Sequence, residues 1–281
     1  MCGRVGSSSR SAGRPAIQRL PPNPPMSDIE LRKRSATELV DAAFQLYRRH
    51  ALVFIMATAL FYAPWLVLNL ILFRSLAGAT GTAASVGFGR LLFVWTGSFI
   101  TFTLMSAVLT KMSAEAYLKG EPGRIEDAVR DVLPRVPSLI GSAIGKWFLI
   151  TLGFMLLIVP GVIFSLMYIA TTAAIVLEGK SVTDAFGRSQ QLARNQKGHV
   201  FVTYLLIGLI WMLLYFGVLM LVSMLGFNLV ILQVLITLFI IMYYPLFGII
   251  EMLIYYDLRV RNEGYDVEVM AGSLGERPAV G

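Results

Sequence analysis

The chain has 281 residues, 56% of them hydrophobic and 15% charged, with a mean hydropathy of +0.70. A soluble domain carries about 25% charged residues, so this composition excludes an ordinary water-soluble enzyme. One cysteine, Cys2, excludes an intrachain disulfide, and one Cys with two His excludes a zinc site of the usual Cys/His kind. A net charge of +7 would suit nucleic acid. The basic residues, however, are strung along the edges of apolar runs and do not gather on one soluble face.

Residues 1–34 contain no apolar run. Met1–Pro25 is rich in Ser, Gly, Arg and Pro, with Arg4, Arg10, Arg14 and Arg19 and no acid before Asp28. A secretory signal needs an apolar stretch that is missing here, whereas an organelle transit peptide shares the Arg-rich, acid-poor composition. The expectation is a disordered basic tail, or an upstream extension with the natural start at Met26.

From Ser35 onward short amphipathic segments alternate with long apolar ones. Ser35-Ala-Thr-Glu38 fits a capping box and opens a helix whose apolar positions are Leu39, Val40, Ala43, Phe44 and Tyr47. Uncharged runs follow at Ala51–Phe73 and Leu91–Thr110, each long enough to cross a bilayer core as a helix of about 20 residues. Gly123-Arg-Ile-Glu126 is a weaker start signal, with Ile125, Ala128, Val129, Val132 and Leu133 at helical spacing. Leu139–Leu177 then holds 39 residues with one charge, Lys146. As a single helix it would reach roughly 58 Å, twice the membrane, so it must turn, and Pro160-Gly161 is the expected place. Ser181-Val-Thr-Asp184 opens the third amphipathic helix, with Val182, Ala185, Phe186, Ser189 and Leu192 on its apolar side. Val200–Leu225 and Phe227–Ile250 complete six spans.

The distribution of positive charge sets the expected orientation. With the N-terminus inside, only Arg74 and Arg90 of the 24 Lys and Arg fall in the outer connections, and the 17 acids also lie at or near the inner side. The reading is an all-α integral membrane protein: six transmembrane helices as three hairpins, each preceded by a cytoplasmic amphipathic interfacial helix. Residues 35–262 form the membrane domain, residues 263–281 a cytoplasmic tail, and both termini lie on the cytoplasmic side of the cell membrane. The amphipathic helices are expected in the headgroup layer, with Arg and Lys toward lipid phosphate.

No catalytic constellation is visible. His50 and His199 each precede a span and read as interfacial packing. Glu178-Gly-Lys-Ser181 ends like a phosphate loop, but the required earlier glycine is Ala174 and a membrane helix stands where a strand should precede. No Gly-x-Ser-x-Gly elbow occurs. Two ionisable residues within or beside spans, Lys146 and Glu251, are costly there, and usually pair or line a polar cavity. The alternative is snorkelling of Lys146 beside Trp147, with Glu251 in an aromatic belt with Tyr255 and Tyr256. Asn69, Gln233, Thr151, Thr171 and Thr172 can bond between helices, and Pro64 and Pro245 read as kinks.

Leu177–Leu192, with Glu178-Gly179, Ala185, Arg188-Ser189 and Leu192, resembles a segment of the glycerophosphoryl diester phosphodiesterase membrane-domain family. Tyr255–Asp266 resembles that family's ending, Ser35–His50 with Pro64 its start, and Pro160-Gly161 its central turn. The likeness covers about Ser35–Val269. It implies a helical membrane domain that in some relatives precedes a catalytic barrel. Such a barrel takes about 250 residues and has no place in this chain, so the hydrolase activity is not carried over. Within the closing segment, Asp257 with Arg261 and Tyr255 with Arg259 can pair on a helix, Gly264 suits its end, and Tyr265, Val267 and Val269 alternate like an extended strand.

The leading expectation is a non-enzymatic membrane protein, without metal or cofactor, whose cytoplasmic face binds anionic phospholipid headgroups or a partner. Arg188, Arg259 and Arg261 are the candidate contacts, oriented by Glu178 and Asp257. One alternative is a transporter of a small polar or amphipathic solute, with Lys146 and Glu251 lining its path. Another is a scaffold or subunit for other membrane proteins.

Overall fold

A computed structural model of the chain describes residues 32–77, 83–225 and 229–264. The described residues form ten α-helices and no strand: α1 (Ala36–Arg49), α2 (Ala51–Ala77), α3 (Ala83–Lys119), α4 (Ile125–Val132), α5 (Val136–Leu156), α6 (Ile158–Met167), α7 (Thr171–Glu178), α8 (Val182–Ala193), α9 (Lys197–Met224) and α10 (Leu229–Glu263). Six stretches are long and apolar enough to cross a membrane, the fourth being α6 and α7 taken together. The architecture is that of a multi-pass membrane protein. The basic tail and the Tyr265–Val269 segment lie outside the described residues.

The three amphipathic helices are present as α1, α4 and α8, each ahead of a hairpin. At α1 the capping box is complete: the Glu38 amide donates to Ser35 Oγ (3.3 Å) and the Ser35 amide to Glu38 Oε2 (2.7 Å). At α8 the Asp184 amide donates to Ser181 Oγ (3.4 Å), but the Asp184 carboxylate takes the Ser181 hydroxyl (2.7 Å). Arg124, not Gly123, caps α4, without a side-chain bond. The apolar faces of α1 and α8, expected to face down toward lipid, pack on the bundle itself. Leu39, Val40, Ala43 and Leu46 are buried against α9 and α10, and Ala185, Ser189 and Leu192 against neighbours that include α7 and α10.

Spans four and six are the interior; the others turn most of their surface outward. Apolar burial does not drive helices together in lipid, so close approach must come from small residues. Ala107, Ala114 and Ala116 of α3 and Thr171–Ala174 of α7 supply them, and all are buried. Spans two and six also run past their apolar segments: α3 continues to Lys119 and α10 to Glu263. The Asp257–Arg261 segment is therefore the continuation of span six. Gly264 closes α10 in the left-handed conformation (φ 65°), as its position predicts.

The reversal in Leu139–Leu177 comes at Leu157, extended at φ −167° and ψ 160°, three residues before Pro160. Pro160 instead sits in the first turn of α6, where its missing N–H costs nothing. Gly161 is needed for closeness, not for a positive φ: a Cβ on Gly153 would lie 2.8 Å from Gly161 Cα. Replacing Gly153 with Ala should cost about 1–3 kcal/mol, because backbone must move. Gly208→Ala, where an added Cβ meets nothing, should be neutral. Denaturant unfolding of both variants in mixed micelles checks the contrast.

Span four is itself broken, at Tyr168–Ala170. Ser189 of α8 satisfies the gap, donating to the Met167 carbonyl (2.7 Å) and accepting from the Ala170 amide (3.1 Å). Beyond the break α7 ends at Gly179 (φ 68°), whose amide returns to Ile175 O while the Lys180 amide returns to Ala174 O. Arg135 donates to the Val176 carbonyl, another of the last-turn acceptors.

Candidate functional site

The break in span four places Thr172 in the first turn of α7, facing α3, α5 and α10. Lys146, ten residues into α5, turns inward and donates to Thr172 Oγ1 (3.0 Å). Glu251 of α10 accepts from Ser106 Oγ of α3 (3.3 Å), and Thr172 faces its carboxylate as well. Among the described residues the two charges are thus bridged by Thr172 and not joined by a direct ion pair. The arrangement follows from the cost of charge in an apolar interior: each ion must be hydrogen-bonded, and a nearby opposite charge lowers the cost further. Trp147, adjacent in sequence, is 56% exposed on the outer surface, so Lys146 does not snorkel beside it.

These groups form the floor of a cleft of about 850 Å³ between α3 and α5. Its walls are mainly apolar, with Phe99, Leu139 and Trp147 among them; Ser98, Thr103 and Ser142 also line it but are bonded within the chain, and Ser106, Thr172, Lys146 and Glu251 gather at one end. Two smaller cavities, of about 450 and 410 Å³, also reach Glu251, the first beside Tyr244 and both beside Tyr204. Of the other polar residues in the spans, Asn69 and Thr171 bond within their own chain turns, to the Trp65 and Tyr168 carbonyls. Of these candidates, among the described residues, Thr172 alone bonds to another span, so Asn69 and Thr171 do not act as interhelical ties; Trp65 with Ser98, Tyr243 with the Ile207 carbonyl and Tyr244 with the Phe102 carbonyl do.

The five headgroup candidates lie at the charged end of the bundle, in two clusters. In the first, Arg188 of α8 donates to both Glu178 oxygens (2.9 and 3.0 Å) and pairs with Glu263. Tyr255 donates to Glu178 (2.5 Å), and Arg259 bonds Glu263 (3.1 Å) while lying over the Tyr255 ring. The Glu263 and Glu178 carboxylates hold the Arg188 guanidinium still further above its already high value, against the opposing effect of burial. In the second cluster Asp257, its side chain 2% exposed, accepts from Arg261 (2.6 Å) and from the Arg34 amide (2.9 Å). His199 Nε2 stands 3.0 Å from the same carboxylate, and Arg261 also donates to the Arg34 carbonyl.

Three arginines therefore meet three carboxylates, Glu178, Glu263 and Asp257, inside the chain. The clusters staple α7, α8, α9, α10 and the segment before α1 to one another. Sequence reasoning missed Glu263, Tyr255 as a Glu178 donor, Arg34 and His199. Arg259 and Glu263 are four apart and could have been found; the others meet across long separations with no periodic signal. Among the described residues no group of three His, Cys, Asp or Glu side chains could hold a metal ion. Comparison with family models, curated proteins and solved structures finds no match.

Proposed function

We propose that the chain is a non-enzymatic carrier of a small polar or amphipathic molecule, held inside the bilayer at Lys146, Thr172 and Glu251. The observation that carries this reading is an opposed pair of charges on the floor of a large apolar cleft. A purely structural pair is better served by close packing, since buried ions seldom stabilise a fold and are retained where they bind something. The broken fourth span supports transport, because discontinuous helices bring freed backbone and dipole ends to binding sites within membranes. The distribution of basic residues supports a reading with both ends in the cytoplasm and the protein in the cell membrane. The likeness of Leu177–Leu192 and Tyr255–Asp266 to the glycerophosphoryl diester phosphodiesterase membrane-domain family supports placing the chain among such membrane domains.

Capture of anionic headgroups by Arg188, Arg259 and Arg261 has less support, because each would first have to leave a carboxylate. Protein purified in native membrane discs should carry a molecule enriched over bulk membrane, and Lys146→Met should lose it. Composition like bulk membrane in both proteins would remove the carrier reading.

A further inference from the structure

We infer that the occupant of the α3–α5 cleft is a membrane amphiphile with a zwitterionic head, its ammonium at Glu251, its anionic oxygen at Lys146 and its chain between the two helices. The inference rests on the carrier reading above and names the ligand class. Charge balance gives the head. Lys146 and Glu251 bring one positive and one negative charge to the same cleft, so an occupant with net charge would leave one charge uncompensated in an apolar medium, at high cost. A zwitterion keeps the sum at zero and offers each side chain an opposite partner.

Both side chains have capacity left. An ammonium has three donors, and Thr172 takes one; a carboxylate accepts at about four positions, and Ser106 and Thr172 take two. The separation imposed by Thr172 leaves the two charges apart, as the two ends of a zwitterionic head are.

The walls give the chain. From Ser106 the cleft follows α3 to Trp95, 11 residues away and about 16 Å along the axis. Trp95, Ile144 and Trp147 at its mouth are 69%, 54% and 56% exposed on the apolar outer surface, so the cleft opens sideways toward lipid. A water-soluble zwitterion would satisfy the charges but leave these walls bare.

The test uses the full chain in neutral detergent, equilibrated with equal amounts of zwitterionic phosphatidylethanolamine and anionic phosphatidylglycerol, then washed and assayed for retained lipid by mass spectrometry. Phosphatidylethanolamine should be preferred by roughly tenfold and its retention should fall about tenfold in Lys146→Met and in Glu251→Gln. Removing a buried charge can impair folding, so Ala143→Phe serves as the second variant: it fills the cleft while keeping both charges, and should also lose the lipid. Preference for phosphatidylglycerol, lost in Ala143→Phe, would overturn the zwitterionic head and leave the cleft as the site. Displacement by excess phosphoethanolamine would overturn the chain's part. Equal retention in wild type and Ala143→Phe would overturn both this inference and the carrier reading.

Discussion

Replacing Asp257 with Ala should lower stability by about 3–5 kcal/mol, the cost of stripping a buried charge from its partners. The carboxylate is 2% exposed and holds the Arg261 guanidinium and the Arg34 amide at 2.6 and 2.9 Å. Without it, a largely buried cation and an amide lose their acceptor, and the segment before α1 keeps only the Arg261 bond to the Arg34 carbonyl as its tie to α10. Asp257→Asn keeps an acceptor for the Arg34 amide and should lose less. Unfolding by denaturant in mixed micelles separates the two variants. A loss under about 1 kcal/mol for Asp257→Ala would mean the network is solvated like a surface pair.

Lys146→Met and Glu251→Gln should each cost about 3–5 kcal/mol, because either leaves the opposite charge buried without compensation. Combining them should cost less than the sum by about 1–3 kcal/mol, the coupling of residues in one network. Thr172→Val should cost about 1 kcal/mol, the usual worth of a hydrogen bond between membrane helices. Strict additivity of the two charge changes would show that Lys146 and Glu251 do not sense each other, and would take away the basis for a shared site. A charge exchange, Lys146→Glu with Glu251→Lys, supplies an independent check, since it should recover expression that either single change loses.

Carrier and headgroup-binding readings divide on which charges are free to act. At the bundle's charged end each arginine candidate is met by a carboxylate of its own chain. Such clusters fix α7, α8 and α10 in register, and Ser189 of α8 in turn holds the break that sets Thr172 against Lys146 and Glu251. The salt bridges at that end are thus better seen as supports of the intramembrane site than as a competing one.

The number of spans, the amphipathic helix before each hairpin and the two intramembrane charges were legible in the chain itself, because each depends on local composition or on a period of 3.6 residues. Uncharged runs of twenty residues or more declare helices in lipid; Ser35 and Glu38 declare a helix start; Lys146 is visible as the one charge among 39 residues. Tertiary structure alone decided what these parts do to one another. The break in span four falls at Tyr168–Ala170, without Gly or Pro, where Ser189, some twenty residues later, offers both a donor and an acceptor. The turn of the third hairpin lies at Leu157 and not at Pro160-Gly161, because Gly153 and Gly161 are required where the two helices touch. Arginines that look free in sequence are neutralised by acids up to 75 positions away. Hydropathy along a chain reports how each segment meets lipid, whereas pairing of charges and placement of backbone breaks depend on which helices become neighbours.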